Sequence, residues 1–296
     1  MQRSSVKMNS LCSSVRWAFN TASWVPTDDQ ILIATSCIQQ EEKTRIGRFV
    51  FQKDAKASLI GRLLMRKFVA DYSNRNYSSV YFDRDVKGKP FLVDICQEHE
   101  KLELDFNVSH QGNFAVLAGE VGKKKVGVDV MKIEYTGGKS LSEFFRLMTR
   151  HFSPEEWVTI NGSYGTKDRK KLEMFYRHWC LKESYVKATG TGITVNLQRI
   201  SFKINTYDLA VGLVTKDTKL YVDGKEQTEW CFEETLLDNE HCVAVAVTSS
   251  DNSLYRPSDN NHFEFLDFSD LMQGCEPLLT PDPLFTSNFL KKEERP

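Results

Sequence analysis

One glutamate of this sequence falls within an apolar stripe of a predicted helix. Residues 179–190 read WCLKESYVKATG, and at about 100° per residue a helix through them places Glu183 on that stripe. The apolar members of the stripe are Leu172, Phe175, Trp179 and Val186. Ionised carboxylates are almost never buried without a partner. Lys187, one turn further along the same face, could be that partner or could contact a bound phosphate.

A second acid, Asp129, lies in the stretch VGVDVM, between two valines of a predicted strand. The alternation of a strand puts its carboxylate on one face of the sheet. Taken alone, Asp129 fits a sheet-surface acid beside a basic neighbour, and Glu183 fits a buried acid paired with an arginine or with Lys187. Taken together, two carboxylates from different elements provide what a hard divalent cation such as Mg²⁺ requires. The pair is therefore a candidate metal site.

The composition argues against several classes of function. The 296 residues carry a formal net charge of -1, whereas bulk nucleic-acid binding usually requires a clear basic excess. An anionic ligand must therefore be bound by a local basic cluster. No apolar run approaches the roughly 20 residues of a membrane span. The seven cysteines show no CxxC spacing, which indicates reduced thiols in an intracellular protein. Five histidines are isolated in the sequence and are expected at solvent or satisfied core positions: His99, His151, His178, His241 and His262.

Helical and strand patterns alternate twice along the chain, which predicts an α+β protein of two similar halves that meet near residue 120. Helices are expected within 41–70, after an N-capping Ser153, and from about 170 to 189 with Gly190 as the stop. Strands are expected at 106–119 with a turn at Gln111-Gly112, at 125–134, at 199–205, at 219–234 and at 241–248.

Four segments follow from these patterns. They are a disordered N-terminus at 1–15, an N-terminal half at 16–120, a C-terminal half with the metal and catalytic residues at 121–249, and a loosely ordered tail at 250–296. The tail is rich in Asn, Asp, Ser and Pro and has no periodicity. The first residues lack the apolar core of a secretory signal, so we expect a cytosolic protein, with a mitochondrial transit peptide as the open alternative.

The two acidic stretches also resemble a known signature. VGVDVM, followed about fifty residues later by WCLKESYVKATG, is similar to the motif pair of the 4′-phosphopantetheinyl transferases, Gly-x-Asp and Trp-x-x-Lys-Glu-(Ala/Ser)-x-x-Lys. Three further landmarks occur in the family's order: GKP (88–90), NVSHQG (107–112) and the FF…F…EEW stretch (144–157). The resemblance runs from about residue 16 to 246. It implies an α+β fold whose halves are related by a pseudo-twofold axis, with the ligand cleft between them.

The resemblance implies transfer of the phosphopantetheine arm of coenzyme A to a serine of an apo carrier domain, with release of adenosine 3′,5′-bisphosphate. The expected carriers are the acyl carrier domain of fatty acid synthase and domains of the aminoadipate-semialdehyde dehydrogenase type, which would link the chain to lysine metabolism. The enzyme is expected to be an Mg²⁺-dependent monomer that binds neither nucleic acid nor membrane.

The resemblance also implies roles for individual residues. Asp129 and Glu183 would be Mg²⁺ ligands, and Lys187 would contact the phosphate that is attacked. The position of Glu183 on the apolar stripe further predicts that it is the general base, acting directly or through water. Many bacterial relatives have a second acid at the position of Met131, so we expect Gln111 to complete the metal site. The remaining predicted contacts to coenzyme A are Arg45, Arg84, Asp85, Val86, Lys87, Gly88, Lys89, Asn107, Val108, Ser109 and His110.

Two alternatives stay open from the residues alone. A two-carboxylate site with Mg²⁺ also fits a phosphohydrolase that cleaves the diphosphate of coenzyme A. A non-catalytic coenzyme A-binding protein would fit if Glu183 or Lys187 lay away from the ligand. An apo carrier protein is the discriminating reagent, because only the transferase modifies it.

Overall fold

Long helices packed on antiparallel strands make up both halves of the chain in the computed structural model. The structure describes residues 14–73, 75–86, 88–93, 103–192, 195–248 and 262–294. Its α-helices are α1 (Asp28–Ser36), α2 (Gln40–Gly47), α3 (Gln52–Tyr72), α4 (Leu141–Leu147), α5 (Pro154–Asn161), α6 (Asp168–Thr189), α7 (Phe268–Met272) and α8 (Pro283–Leu290). Each helix in these ranges is too short or too polar to cross a lipid bilayer.

The strands include the hairpin predicted around Gln111-Gly112. They are β1 (Ser14–Asn20), β2 (Phe82–Arg84), β3 (Pro90–Leu92), β4 (Leu104–Gln111), β5 (Phe114–Val121), β6 (Val126–Lys132), β7 (Ile200–Lys203), β8 (Lys219–Val222), β9 (Lys225–Glu226), β10 (Trp230–Asp238), β11 (His241–Thr248) and β12 (Glu264–Phe265). A turn at Asp223 and Gly224, both with positive φ, joins β8 to β9 within the predicted strand region 219–234. Ser153 caps α5 and Gly190 ends α6 in the left-handed region, as predicted.

The N-terminal half is built around α3. This helix packs against β4 and β5 of a sheet with the order β12-β1-β5-β4. Nearly all of its positions from Ala55 to Val69 are buried, because the sheet covers one side and other helices cover the rest. Gly119 of β5 accommodates the ring of Phe68, since a Cβ at Gly119 would lie 2.4 Å from that ring.

The C-terminal half repeats this plan with α6. This helix packs against β6 and β11 of a sheet with the order β10-β11-β6. The predicted apolar stripe is on its packed side, where Phe175 and Val186 are buried and Trp179 is half-buried. The mixed α and β content agrees with the predicted class, while the pseudo-twofold relation of the halves stays a prediction.

Strands β4 and β6 meet at the junction of the two halves. The edges are joined by side chains: Asp105 Oδ2 accepts from the backbone N–H of Val126 at 2.7 Å, and Asn107 Oδ1 accepts from that of Val128 at 3.1 Å. A third hydrophobic cluster, contributed by both sheets, lies behind this junction. The junction of β4 and β6 is therefore held by hydrogen bonds on one side and by apolar packing on the other.

The segment 262–294 differs from the loosely ordered tail predicted for 250–296. Its strand β12 pairs in parallel with β1, and α7 and α8 pack on the helices of the N-terminal half. Leu271 and Phe289 are almost fully buried there. The prediction was wrong for these residues because each buried anchor stands in a short element, too short for periodicity to register. Ser14 and Val15, assigned to the disordered N-terminus, belong to β1.

Candidate active site

Helix α6 and strand β6 bring the two signature stretches into contact. Lys187 Nζ donates to Asp129 Oδ1 at 2.6 Å and lies 3.2 Å from the carbonyl oxygen of Val128. The helix can come this close because Gly127, on the same face of β6 as Asp129, has no side chain. A Cβ at Gly127 would stand 2.1 Å from the carbonyl oxygen of Ser184. The glycine of the Gly-x-Asp stretch is thus a packing requirement of the site.

Ser109 of β4 joins this contact from the other half of the molecule. Its hydroxyl donates to Asp129 Oδ1 at 2.9 Å and lies 2.9 Å from Lys187 Nζ, which donates to it. One oxygen of Asp129 therefore receives two hydrogen bonds, while Oδ2 is buried without a partner. An unsatisfied buried acceptor costs about 1–3 kcal/mol, and more when it is charged. A cation that binds Oδ2 would remove that cost.

Glu183 lies near the same carboxylate and is half-buried on α6. Its pKa is raised by burial first and then by the negative charge of Asp129, while Lys187 and His151 act in the opposite direction. Asp129 and Glu183 repel each other, and Asp129 Oδ2 is buried without a hydrogen-bond partner. A divalent cation bound there would relieve both conditions. Within the described ranges, no three acidic, histidine or cysteine side chains form a metal cluster. The site fits Mg²⁺, which usually keeps waters and takes one or two carboxylates plus phosphates.

Several cations lie together on the N-terminal side of the cleft. Burial and then the neighbouring charge of Arg45 lower the pKa of Arg84. Loss of surrounding water, followed by the charges of Lys187 and Arg62, lowers the pKa of His110. Like charges that disfavour one another in this way are stabilised by an anion, and a phosphate group has the geometry to accept from several of them. Arg45, Arg84 and His110 thus lie near one another. None of the three lines the cavity between the two halves, and their contact with coenzyme A stays a prediction.

Arg62 of α3 is a member of this cluster that sequence reasoning missed. Its Nη1 lies 3.2 Å from Glu42 Oε1, and burial lowers its pKa more than Glu42 raises it. The other oxygen of Glu42 is buried without a hydrogen-bond partner. The available signal was an arginine within the apolar pattern LIGRLLMRKF, where a charged group needs a partner or a ligand.

The predicted 84–89 loop is a tight turn between β2 and β3. The carboxylate of Asp85 accepts from the backbone N–H of Lys89 at 2.8 Å, and Gly88 has a φ of 83°, which favours glycine. Arg84 Nη1 donates to the carbonyl oxygen of Gly88 at 2.8 Å. The Lys89 ammonium group reaches the other half, 3.4 Å from the carbonyl oxygen of Lys187. Lys87, a further predicted contact, lies outside the described residues.

A cavity of about 690 Å³ opens between the two halves. The N-terminal half contributes the 85–90 turn and Asn107, and α6 contributes Glu183 and Lys187. Several further lining residues were not predicted as site residues, among them Arg150, His151 and Trp179. The His151 ring packs on the Trp179 ring at 5.6 Å between centroids, so its predicted solvent or core position is corrected to the wall of the cleft. No residue spacing pointed to this, because the 3₁₀ turn that carries His151 meets α6 only in three dimensions.

Three predicted contacts do not point into this site. Gln111 Oε1 accepts from the backbone N–H of Lys132. Gln111 shares a face of β4 with Ser109, but it lies two residues, or about 6.5 Å, further along the strand than the serine that contacts Asp129. The role of Gln111 as a third metal ligand stays a prediction that requires its hydrogen bond to Lys132 to break. Val108 packs into the N-terminal core, with its Cγ2 close to Gly61, and Val86 is fully exposed. Neither valine side chain lines the cavity.

Each half of the chain matches a model of a known protein family. A model of the N-terminal domain of the 4′-phosphopantetheinyl transferases matches residues 22–122, and the 4′-phosphopantetheinyl transferase superfamily model matches residues 125–246. The boundary between the two matches falls between β5 and β6, where the halves meet.

Individual relatives align along most of the chain. The L-aminoadipate-semialdehyde dehydrogenase-phosphopantetheinyl transferase of Xenopus laevis is 44% identical over 288 residues, covering 96% of this chain and 94% of the relative. The Homo sapiens protein of the same name is 43% identical over 291 residues, with 95% and 93% coverage. The 4′-phosphopantetheinyl transferase HetI of a Nostoc species is 29% identical over 220 residues, with 74% and 82% coverage. These matches confirm the resemblance read from the two motifs, and the chain belongs to the 4′-phosphopantetheinyl transferase superfamily as an enzyme of the transferase class.

Proposed function

We propose that this chain transfers the 4′-phosphopantetheine arm of coenzyme A to the serine hydroxyl of an apo carrier domain and releases adenosine 3′,5′-bisphosphate. The observation that carries the proposal is the buried, unpartnered Oδ2 of Asp129, which lies beside Glu183 and Lys187. Glu183 and Lys187 line the cavity between the halves together with Lys89. The cation cluster lies close enough to Lys187 for the charges of both, after burial, to lower the pKa of His110. Carboxylates for a metal and cations for phosphates are the two groups that a diphosphate ester requires.

Each residue has a distinct task in this reaction. Asp129 and Glu183 would hold Mg²⁺, which neutralises charge on the diphosphate when it is bound. Lys187 contacts the phosphoryl group that is attacked, and Ser109 holds Lys187 and Asp129 in register through its two hydrogen bonds. Arg45, Arg84, Lys89 and His110 bind the 3′-phosphate and the diphosphate oxygens and so orient coenzyme A.

Glu183 removes the proton from the carrier serine. Burial raises the pKa of Glu183, which makes its carboxylate a stronger base than an exposed glutamate. The serine oxygen then forms a bond to the phosphorus atom that bears the pantetheine arm. The bond from that phosphorus to the bridging oxygen of the diphosphate breaks, and adenosine 3′,5′-bisphosphate leaves with the electron pair.

The carriers and the setting are part of the proposal. The names of the animal relatives support a carrier domain of the L-aminoadipate-semialdehyde dehydrogenase type, and hence a role in lysine metabolism. Fatty acid synthase carrier domains are the second proposed substrate. We further propose a cytosolic monomer. Both walls of the cleft come from one chain, so a second copy is not required to complete the site.

One incubation tests the transferase proposal against its alternatives. The purified chain is mixed with coenzyme A, Mg²⁺ and an apo acyl carrier protein, and the intact mass of the carrier is measured. A gain of one phosphopantetheine supports the proposal, and a carrier whose serine is replaced by alanine should gain nothing. Cleavage of coenzyme A with an unchanged carrier would support a phosphohydrolase. Binding without either change would support a non-catalytic protein.

A further inference from the structure

We propose that the C-terminal segment 262–294 positions helix α2, and with it Arg45, for the 3′-phosphate of coenzyme A. The positioning residues are Lys292, Phe285 and Asp282. This inference rests on the proposed function, because it assigns a further requirement to the same nucleotide site. It concerns residues that touch neither coenzyme A nor the carrier and act only through α2.

The end of α2 is held by Lys292. Its ammonium group donates to the carbonyl oxygen of Gly47 at 2.9 Å and also to that of Phe49. The last carbonyls of a helix have no partner within the helix and carry partial negative charge, so a cation there stabilises the helix end. The ring of Phe285 packs on the same residue, since a Cβ at Gly47 would meet it at 3.1 Å.

The middle of α2 is held by a second set of contacts from the same segment. Lys43 is buried, its Nζ lies 3.0 Å from Asp282 Oδ2, and it stands over the Phe285 ring at 5.0 Å from the centroid. Asp282 also caps the start of α8, because its side chain accepts from the backbone N–H of Phe285. A single acid therefore orders α8 and attaches it to α2.

The other tertiary polar contacts described for α2 lie in its first half, so its end depends on the segment 262–294. The helix has only eight residues, it lacks a side-chain N-cap, and Ile46 is its one buried aliphatic side chain. A helix of this length is marginal without tertiary contacts. Glu42 pairs with Arg62, which reaches the same cation cluster from α3. At the start of the helix, the side chain of Gln39 donates to the carbonyl oxygen of Phe82 and accepts from the backbone N–H of Phe82. The segment also binds the start of α3, because Gln52 donates from its backbone N–H to the carbonyl oxygen of Glu293 at 2.8 Å.

Arg45 projects from the exposed side of this helix towards the charges of Arg84 and His110. Its position follows the axis of α2, because a helical side chain moves with its backbone. Release of the helix end should therefore weaken binding of the phosphate that Arg45 contacts. It should leave Asp129, Glu183 and Lys187 undisturbed, since these belong to the other half.

The test uses the full chain with Lys292→Met, which removes the charge and keeps the length. Lys291→Met is the matched control, because Lys291 is the exposed neighbour on the same chain end. We expect Lys292→Met to raise the KM for coenzyme A about three- to tenfold, with kcat and the KM for dephospho-coenzyme A nearly unchanged. Lys292→Arg should restore binding.

A direct binding measurement separates this inference from the proposed function. The affinity for adenosine 3′,5′-bisphosphate, measured by calorimetry without carrier, should fall in Lys292→Met, and the affinity for AMP should not. Asp282→Asn, which keeps the helix cap, should show the same selectivity if Lys292→Met does not fold. Equal losses for both nucleotides, or wild-type affinity in both variants, would overturn the positioning role. Absence of carrier modification by the wild-type chain would overturn the proposed function alone.

Discussion

Replacing Gly127 by alanine tests whether the close approach of α6 to β6 sets the geometry of the site. The added Cβ would lie 2.1 Å from Ser184 O, 2.4 Å from Ala188 N and 3.0 Å from Ala188 Cα. Heavy-atom contacts of Cβ below 3.0 Å are essentially never observed, so the helix must move by about 0.9 Å, the difference between 3.0 and 2.1 Å. The obstructing atoms belong to the backbone, and no rotamer change can relieve the overlap.

This displacement acts on the residues that do chemistry. Lys187 and Glu183 move with α6, whereas Asp129 stays on β6, so the 2.6 Å contact between Lys187 and Asp129 lengthens. A misplacement of about 1 Å can reduce turnover by roughly 10²-fold, and overpacking destabilises by about 1–3 kcal/mol. We expect Gly127→Ala to lose about two orders of magnitude in kcat and to have a lower Tm.

The assay is carrier modification at saturating coenzyme A, followed by intact mass. The matched control is Gly138→Ala, since a Cβ at Gly138 meets nothing within 4 Å and the φ of that residue is not positive. Affinity for coenzyme A should change little in Gly127→Ala, because the cation cluster lies in the other half, and this affinity also reports that the variant is folded. A kcat within threefold of wild type would refute the reasoning.

Four further outcomes follow from the site. Asp129→Asn should raise the Mg²⁺ concentration required for half-maximal rate and be partly rescued by Mn²⁺; unchanged metal dependence would contradict its ligand role. Glu183→Gln should keep its fold and lose nearly all turnover, and near-wild-type turnover would remove its roles as metal ligand and base. Arg84→Met should weaken the binding of coenzyme A, measured by calorimetry, by about 1.5–3 kcal/mol. The binding of dephospho-coenzyme A should weaken less if Arg84 contacts the 3′-phosphate. Gln111→Ala should raise the Mg²⁺ requirement less than Asp129→Asn does, because an amide oxygen carries no charge. An equal or larger effect would contradict this ranking of the two ligands.

The sequence predicted the parts of the site that belong to long regular elements. Glu183 and Lys187 are four residues apart on a helix of 22 residues, so periodicity alone placed them on one face. Asp129 stands in a β-branched strand, and strand alternation fixed its face. Their mutual contact required the family signature, because the distance between two elements is set by packing and not by local pattern.

The residues that were missed or misplaced depend on tertiary contacts. Arg62 reads as one more charge on a long helix until its burial beside Glu42 is known. His151 lies on a single 3₁₀ turn, where no periodicity exists. Residues 262–294 have anchors such as Phe289 in elements of two to eight residues, and their low periodicity resembles that of disordered segments. These short elements are held by the buried contacts that they make with the N-terminal half.

The polar alternation of β4 explains why the site lies at the junction of the halves. Asp105, Asn107, Ser109 and Gln111 share one face of the strand, which on a free sheet would face water. Here three of them accept from backbone N–H groups along the edge of β6. Ser109 instead donates to the side chain of Asp129. Side chains of β4 thus join the two strand edges in place of continuous backbone pairing. At Ser109 the hydrogen bond goes to a carboxylate oxygen of Asp129 and not to a backbone group. Because this bond occupies Oδ1, it leaves Oδ2 to the cation that the diphosphate requires.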